Sequence, residues 1–75
     1  MAVARAFAAA REKANLRQED LATAIGKGQS YISNIERGER RLDVLELFVI
    51  ARALGFNPVD FYEHLTKDIA EDFRL

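Results

Sequence analysis

Apolar side chains recur along this chain every three or four positions, and no segment alternates strictly between apolar and polar. That spacing predicts helices and argues against strands. Val3, Phe7, Ala10 and Ala14 form a stripe that predicts a helix over 3–13, with Asn15 placed to close it in the left-handed conformation. A second helix is expected over 18–25. Leu16 and Leu21 sit where a hydrophobic staple would put them, Asp20 takes the third helical position, and Gly26 ends the segment. A third, over 29–37, turns Tyr31, Ile32 and Ile35 toward a core and stops at Gly38. The fourth, over 43–54, is closed by Gly55, and Val44, Leu47, Phe48, Ala51 and Leu54 make its expected inward stripe. Leu45 and Val49 form a second stripe on the same helix, which needs cover either from the chain's own tail or from the same surface of a second copy. Asn57 as N-cap, Pro58 in the first turn and the Phe56/Phe61 staple start a fifth helix. Its end is open: Phe61, Leu65, Ile69 and Phe73 fit one long helix, and Thr66 is an equally good start for a sixth.

The expected fold is therefore all-α, a compact bundle of five or six short helices. The second and third are joined by two or three residues that include Gly26 and Gly28. So short a link forces a steep crossing, the geometry of a helix-turn-helix. Ala22 then lies on the inner side of the second helix, where a small residue lets the third approach, and Ile25, Ile32 and Ile35 fill the corner. Residues 1–65 make the domain; residues 66–75 read as a helical tail that is a possible dimerisation element.

Composition narrows the function classes. Seventy-five residues suffice for one small domain, and 49% hydrophobic content argues against disorder. There is no cysteine, hence neither a disulfide framework nor a thiolate metal site. The longest apolar run, 47–51, is far too short for a membrane span, and the N-terminus lacks a signal peptide of usual strength, so a cytoplasmic protein is expected. The net charge of −1 does not announce nucleic acid, but its distribution is uneven. Residues 1–41 hold eight Lys or Arg against five acids, and residues 42–75 hold three against seven. One side of the domain is thus suited to an anion.

The third helix is unusual in its polar face. Gln29, Ser30, Ser33 and Asn34 are uncharged hydrogen-bonding residues where Glu and Lys would serve solubility better. Its sequence completes a pattern: 16-LRQEDLATAIG-26 followed by 30-SYISNIERG-38 closely resembles the Cro/phage-repressor helix-turn-helix, the XRE family of regulators. The stretch 51-ARALGFNPVDFY-62 resembles the junction of the fourth and fifth helices in that family, and the likeness covers roughly residues 3 to 65. The resemblance implies a lambda-repressor-like domain whose third helix lies in the DNA major groove. It places Gln29, Ser30 and Asn34 at base edges, with Tyr31 and Ser33 beside the sugar-phosphate backbone. Gln and Asn amides match the paired donor and acceptor of adenine, and Ser suits several bases. Gln18 is expected to touch a phosphate and brace Gln29, and Arg11 with Glu36 to form an ion pair linking the first helix to the end of the third. Arg40, Arg41 and Lys27 are expected at phosphates, a merely solvated loop being the rival reading. The sequence departs from the family pattern at Arg17, which replaces a Ser or Thr cap and is itself a candidate phosphate contact, at Lys27 in a turn position often apolar, and at Gly28 as a weaker cap of the third helix.

No catalytic constellation is legible. His64 is the lone histidine, with no Cys or second His for a metal site, and reads as a surface or interface residue. No cofactor and no small-molecule ligand are expected. The leading expectation is a sequence-specific DNA-binding regulator, repressor-like, acting as a homodimer on double-stranded DNA. The alternative is a protein-interaction module on the same scaffold, such as an antitoxin or bridging adaptor.

Overall fold

Five helices and no strand form among the described residues, which run from 2 to 75 in this computed structural model. They are α1 (Ala2–Lys13), α2 (Gln18–Ala24), α3 (Gln29–Glu36), α4 (Val44–Leu54) and α5 (Pro58–Thr66). None is long enough to be stable alone in water, so each depends on its ends and on the core. The ends are well specified. Asn15 closes α1 at φ 60°. Asp43 caps α4 reciprocally: its carboxylate accepts from the Glu46 amide while Glu46 accepts from the Asp43 amide, both at 2.8 Å. Asn57 accepts from the Val59 amide at 2.9 Å, with Pro58 at the first turn of α5. Arg17 offers α2 no capping oxygen; instead Asp20 accepts from the Arg17 amide at 2.9 Å, which satisfies one donor at this end.

The corner between α2 and α3 is made at Gly26, whose φ of 76° favours a residue without Cβ. Ala22, fully buried, sits inside that corner with Leu21, Ile32 and Ile35. α1 lies against α3 and α5, α2 against α3 and α4, and α4 against α5. Phe7 and Phe61 fill the centre with ring centroids 6.3 Å apart, and Phe56 packs on Phe61 at 5.2 Å. The short link that packs α2 on α3 and the Phe56/Phe61 staple are as the spacing predicts.

Two expectations fail. The inward stripe of α4 is not centred on Val44 and Phe48, which are 77% and 49% exposed. Its core face is Leu47, Ile50, Ala51 and Leu54, at i, i+3, i+4 and i+7. Nearly every position of α4 is apolar, so two stripes competed, and the one that meets Phe61 and Leu21 won. The tail is also not helical: after Thr66 the chain forms turns, and no sixth helix exists among the described residues. Ile69, Phe73 and Leu75 fold back to line a cavity of about 250 Å³ with Val3, Ala4 and Leu42. The tail thus leaves Leu45 and Val49 at 73% and 47% exposure.

This assignment of the α4 faces is testable. Ile50→Ala should cost about 2–5 kcal/mol, a large share of the stability of so small a domain. Val44→Ser should stay within about 0.5 kcal/mol. Urea unfolding of both variants at low protein concentration measures the contrast, and equal losses would mean the faces are misassigned.

Candidate nucleic-acid interface

Because Ile32 and Ile35 hold α3 to the core, the residues at i, i+1, i+4, i+5 and i+8 from Gln29 must turn outward. Gln29 and Ser30 are exposed at the start of the helix, and Ser33 and Asn34 are half-buried one turn on. All four expected polar positions therefore share one face. Gly28 caps the helix without a side chain, so no side-chain oxygen occupies its N-terminus.

A hydrogen-bonded relay fixes the angle at which this face is presented. Arg11 donates to both oxygens of Glu36, from Nε at 2.7 Å and from Nη2 at 3.1 Å. Its remaining Nη1 donates to the Leu16 carbonyl at 2.7 Å. Gln18 Nε2 donates to Glu36 Oε1 at 3.0 Å, and Gln18 Oε1 accepts from Gln29 Nε2 at 3.2 Å. The carboxylate beside it holds the Arg11 pKa above the ordinary guanidinium value. Four residues from three helices and one loop carbonyl thus set the amide of Gln29. The Arg11–Glu36 pair and the Gln18–Gln29 brace occupy the geometry expected of them.

Arg37 belongs to this face although the sequence reading passed it over. Its Nη1 donates to Ser33 Oγ at 3.1 Å, its Nη2 to Asn34 Oδ1, and its Nε to Glu39 at 3.3 Å. Side chains on a helix lean back toward its N-terminus, so a residue at i+3 of Asn34 and i+4 of Ser33 overlays both. That spacing was the available signal.

The basic rim differs from a set of free cations. Tyr31 donates from its hydroxyl to Glu46 at 2.7 Å, so that proton is engaged within the protein. Arg40 reaches the same carboxylate at 2.7 and 3.0 Å and stacks 4.6 Å above the Tyr31 ring, while Lys27 lies 5.4 Å from that ring. Arg17 is paired with Glu19 at 3.3 Å and Asp20 at 3.2 Å. Arg41 is exposed in the same loop as Arg40, and neither it nor Lys27 forms a salt bridge among the described residues. Glu46 is the second residue missed: its place at the third position of α4 reads as a cap, and its longer reach to Tyr31 and Arg40 has no sequence signature.

His64 is half-buried rather than a plain surface residue. Its Nε2 lies 2.9 Å from the Ala6 carbonyl, and its ring stacks on Phe56, which ties α5 to α1. Among the described residues no group of acids and His is placed to hold a metal, and no helix is long and apolar enough to cross a membrane.

The Glu46 cluster has a pH signature. The Arg40 guanidinium, assisted by the Asp43 amide and the Tyr31 hydroxyl, pulls the Glu46 carboxyl down to about 2 from 4.5. Burial and the adjoining carboxylate push the Tyr31 phenol up to about 12. A depressed carboxyl stabilises the fold fully above its unfolded value and loses that contribution as pH falls through its folded value. Glu46→Gln should therefore lower the thermal midpoint at pH 6 by the equivalent of about 1 kcal/mol. The gap to the wild type should close between pH 4.5 and pH 2. A gap constant over that range, followed by circular dichroism, would mean the cluster is not ionic.

Comparison with known proteins gives one family and several relatives. The helix-turn-helix family matches residues 7–61. A control protein of Bacillus amyloliquefaciens, C.BamHI, is 39% identical over 54 residues, covering 72% of this chain and 67% of its own length. An HTH-type transcriptional regulator of Sinorhizobium fredii is 39% identical over 54 residues, 72% of this chain and 70% of that one. Among solved structures, the restriction-modification controller protein C.Esp1396I superposes with a TM-score of 0.77 at 36% identity, covering 89% of this chain and 88% of its own.

Proposed function

The chain belongs to the helix-turn-helix family of DNA-binding transcription regulators, and we propose that it is a sequence-specific regulator reading the major groove with α3, as a homodimer on a near-palindromic site. The observation that carries this reading is the outer face of α3, whose Gln29, Ser30, Ser33 and Asn34 are polar without charge, braced at the first residue of the helix by Gln18 and at its last by Arg11. A face meant only for water has no need of such a relay. In this reading Gln29, Ser30 and Asn34 meet base edges, with Arg37 swinging from Asn34 to a base or phosphate. Bidentate contacts of Gln or Asn with adenine are the pairings their chemistry favours. Gln18, Ser33, Lys27, Arg17 and Arg41 line the phosphate rim, and Arg40 and Tyr31 join it only by leaving Glu46. The names of the relatives make a restriction-modification system the first set of genes to test, with repression as the mode.

The second copy belongs on α4 and α5. Val44, Leu45 and Phe48 are joined by Val59 and Tyr62 as one exposed apolar face around a groove of about 430 Å³, and Val49 is exposed on the far side of Leu45. So large a patch on so small a domain is a partner surface. Pairing there by a two-fold axis sets two α3 helices about one turn of DNA apart, roughly 34 Å. It also turns the acidic second half of the chain away from the duplex.

Base readout is tested by selecting bound fragments from random duplex DNA and titrating the recovered site. Gln29→Ala and Asn34→Ala should each weaken that site by roughly 1–3 kcal/mol and relax the preference at one position, with unrelated DNA little changed. Full affinity and preference in both variants would remove α3 as the reader, and a wild type that retains no fragment would leave the protein-interaction module as the better account. Assembly is tested separately by sedimentation. The wild type should be dimeric at micromolar concentration and Phe48→Glu monomeric but folded, with at least about tenfold weaker binding to the palindrome. A monomeric wild type that binds one half-site as well as two would refute the pairing.

A further inference from the structure

The oxygens of Glu46 accept from four donors: Tyr31 Oη at 2.7 Å, Arg40 Nη2 at 2.7 Å and Nη1 at 3.0 Å, and the Asp43 amide at 2.8 Å. This is the donor set that a DNA phosphate would take from the same rim: a guanidinium, a tyrosine hydroxyl and a backbone amide at a helix N-terminus. Arg40 Nη1 also donates to the Arg41 carbonyl at 2.7 Å. The pair is open to solvent on the Arg40 side, whose side chain is 39% exposed against 18% for Glu46. Arg40 sits in the loop between α3 and α4, with its amide on the Asn34 carbonyl at 3.2 Å, and its stacking on Tyr31 holds it at the edge of the reading helix.

We propose that Glu46 is a built-in phosphate mimic that sequesters Arg40 in the free protein and gives it up only to a phosphate brought into register by the docked α3 helix. The inference rests on the DNA-binding function proposed above and deepens it by naming a residue that sets specificity without touching DNA. In a loosely held, unrelated duplex no phosphate is positioned to outcompete a carboxylate already making two bonds, so Arg40 stays home and contributes nothing. On the correct site a phosphate lies within reach, Arg40 exchanges partners, and only the cost of leaving Glu46 is subtracted. Glu46 thereby lowers unrelated binding by the whole contact and specific binding by a part of it. The ratio of the two affinities rises.

The test is Glu46→Gln, whose amide oxygen can still accept from the Asp43 amide and whose NH2 can donate to the Tyr31 oxygen, but which removes the charge that holds Arg40. Binding to an unrelated duplex and to the site recovered by selection is measured across salt concentrations, with the wild type, Arg40→Ala and the double variant beside it. One additional phosphate contact releases about one counterion, which at ~0.15 M salt corresponds to about fivefold tighter binding. Glu46→Gln should bind unrelated DNA about fivefold more tightly with a salt slope steeper by about one. The selected site should gain less, so that specificity falls. In the Arg40→Ala background the gain should disappear. Unchanged or weaker binding in Glu46→Gln overturns the proposal, because Glu46 is then a positioning group for Arg40. An equal gain with Arg40 absent also overturns it, because the effect is then that of one fewer negative charge. A wild type that holds no duplex at all refutes the DNA-binding function itself, a result distinct from either of these.

Discussion

The interaction on which the rest of this structure depends is the contact of Arg11 with Glu36. It joins α1 to the last residue of α3, and both side chains are about nine-tenths shielded from water, at 11% and 9% exposure. Removing two charges from water costs about what their attraction returns, so such a pair contributes little net stability. Its value lies in direction. The guanidinium has a fixed planar fork, and here every prong is used: two on the carboxylate and one on the Leu16 carbonyl at the entry to α2. A helix held only by Ile32 and Ile35 would slide on greasy contacts that have no preferred angle. Held by a fork, it has one.

The apolar core has a complementary part. Small residues stand where helices cross: Ala10 on α1, Ala22 on α2 and Ala51 on α4 are all buried. They let the backbones approach, while Phe7 and Phe61 at the centre are the largest fully buried side chains. Short helices contribute little of their own, so the cap at each end and the alanine at each crossing act together.

Much of this was legible in the sequence because it is local. The Asp43, Asn57 and Gly55 ends, the corner at Gly26 and the Phe56/Phe61 staple follow from rules spanning four or five residues. The Arg11–Glu36 pair, 25 positions apart, came from resemblance and not from spacing. The face of α4 was not legible, since nine of its eleven residues, Val, Leu, Phe, Ile or Ala, would serve a core, and only the partners across the interface decide. The tail misled because Ile69 and Phe73 keep helical spacing. A continued helix would have set Asp68, Glu71 and Asp72 against the negative end of its dipole, and the folded-back tail instead sets the apolar pair beside Val3 and Ala4 of α1, with Ile69 36% and Phe73 57% exposed. In the interface itself, Arg37 and Glu46 were hidden for one reason: each has an obvious local role, a helix end and a cap, and the side chain reaches past it.

The corner at Gly26 carries a consequence of another kind. A Cβ built there meets no atom within 4 Å, so steric crowding does not enforce the glycine. What excludes most residues is torsion alone, a left-handed φ worth about 1–2 kcal/mol to an ordinary side chain and less to Asn. The turn from α2 toward α3 is therefore specified by a single rotation about one bond, with vacant room outside it. An asparagine could drift into this position over many generations without moving α2 against α3, whereas a change at Ala22, one turn earlier and walled in on every side, could not.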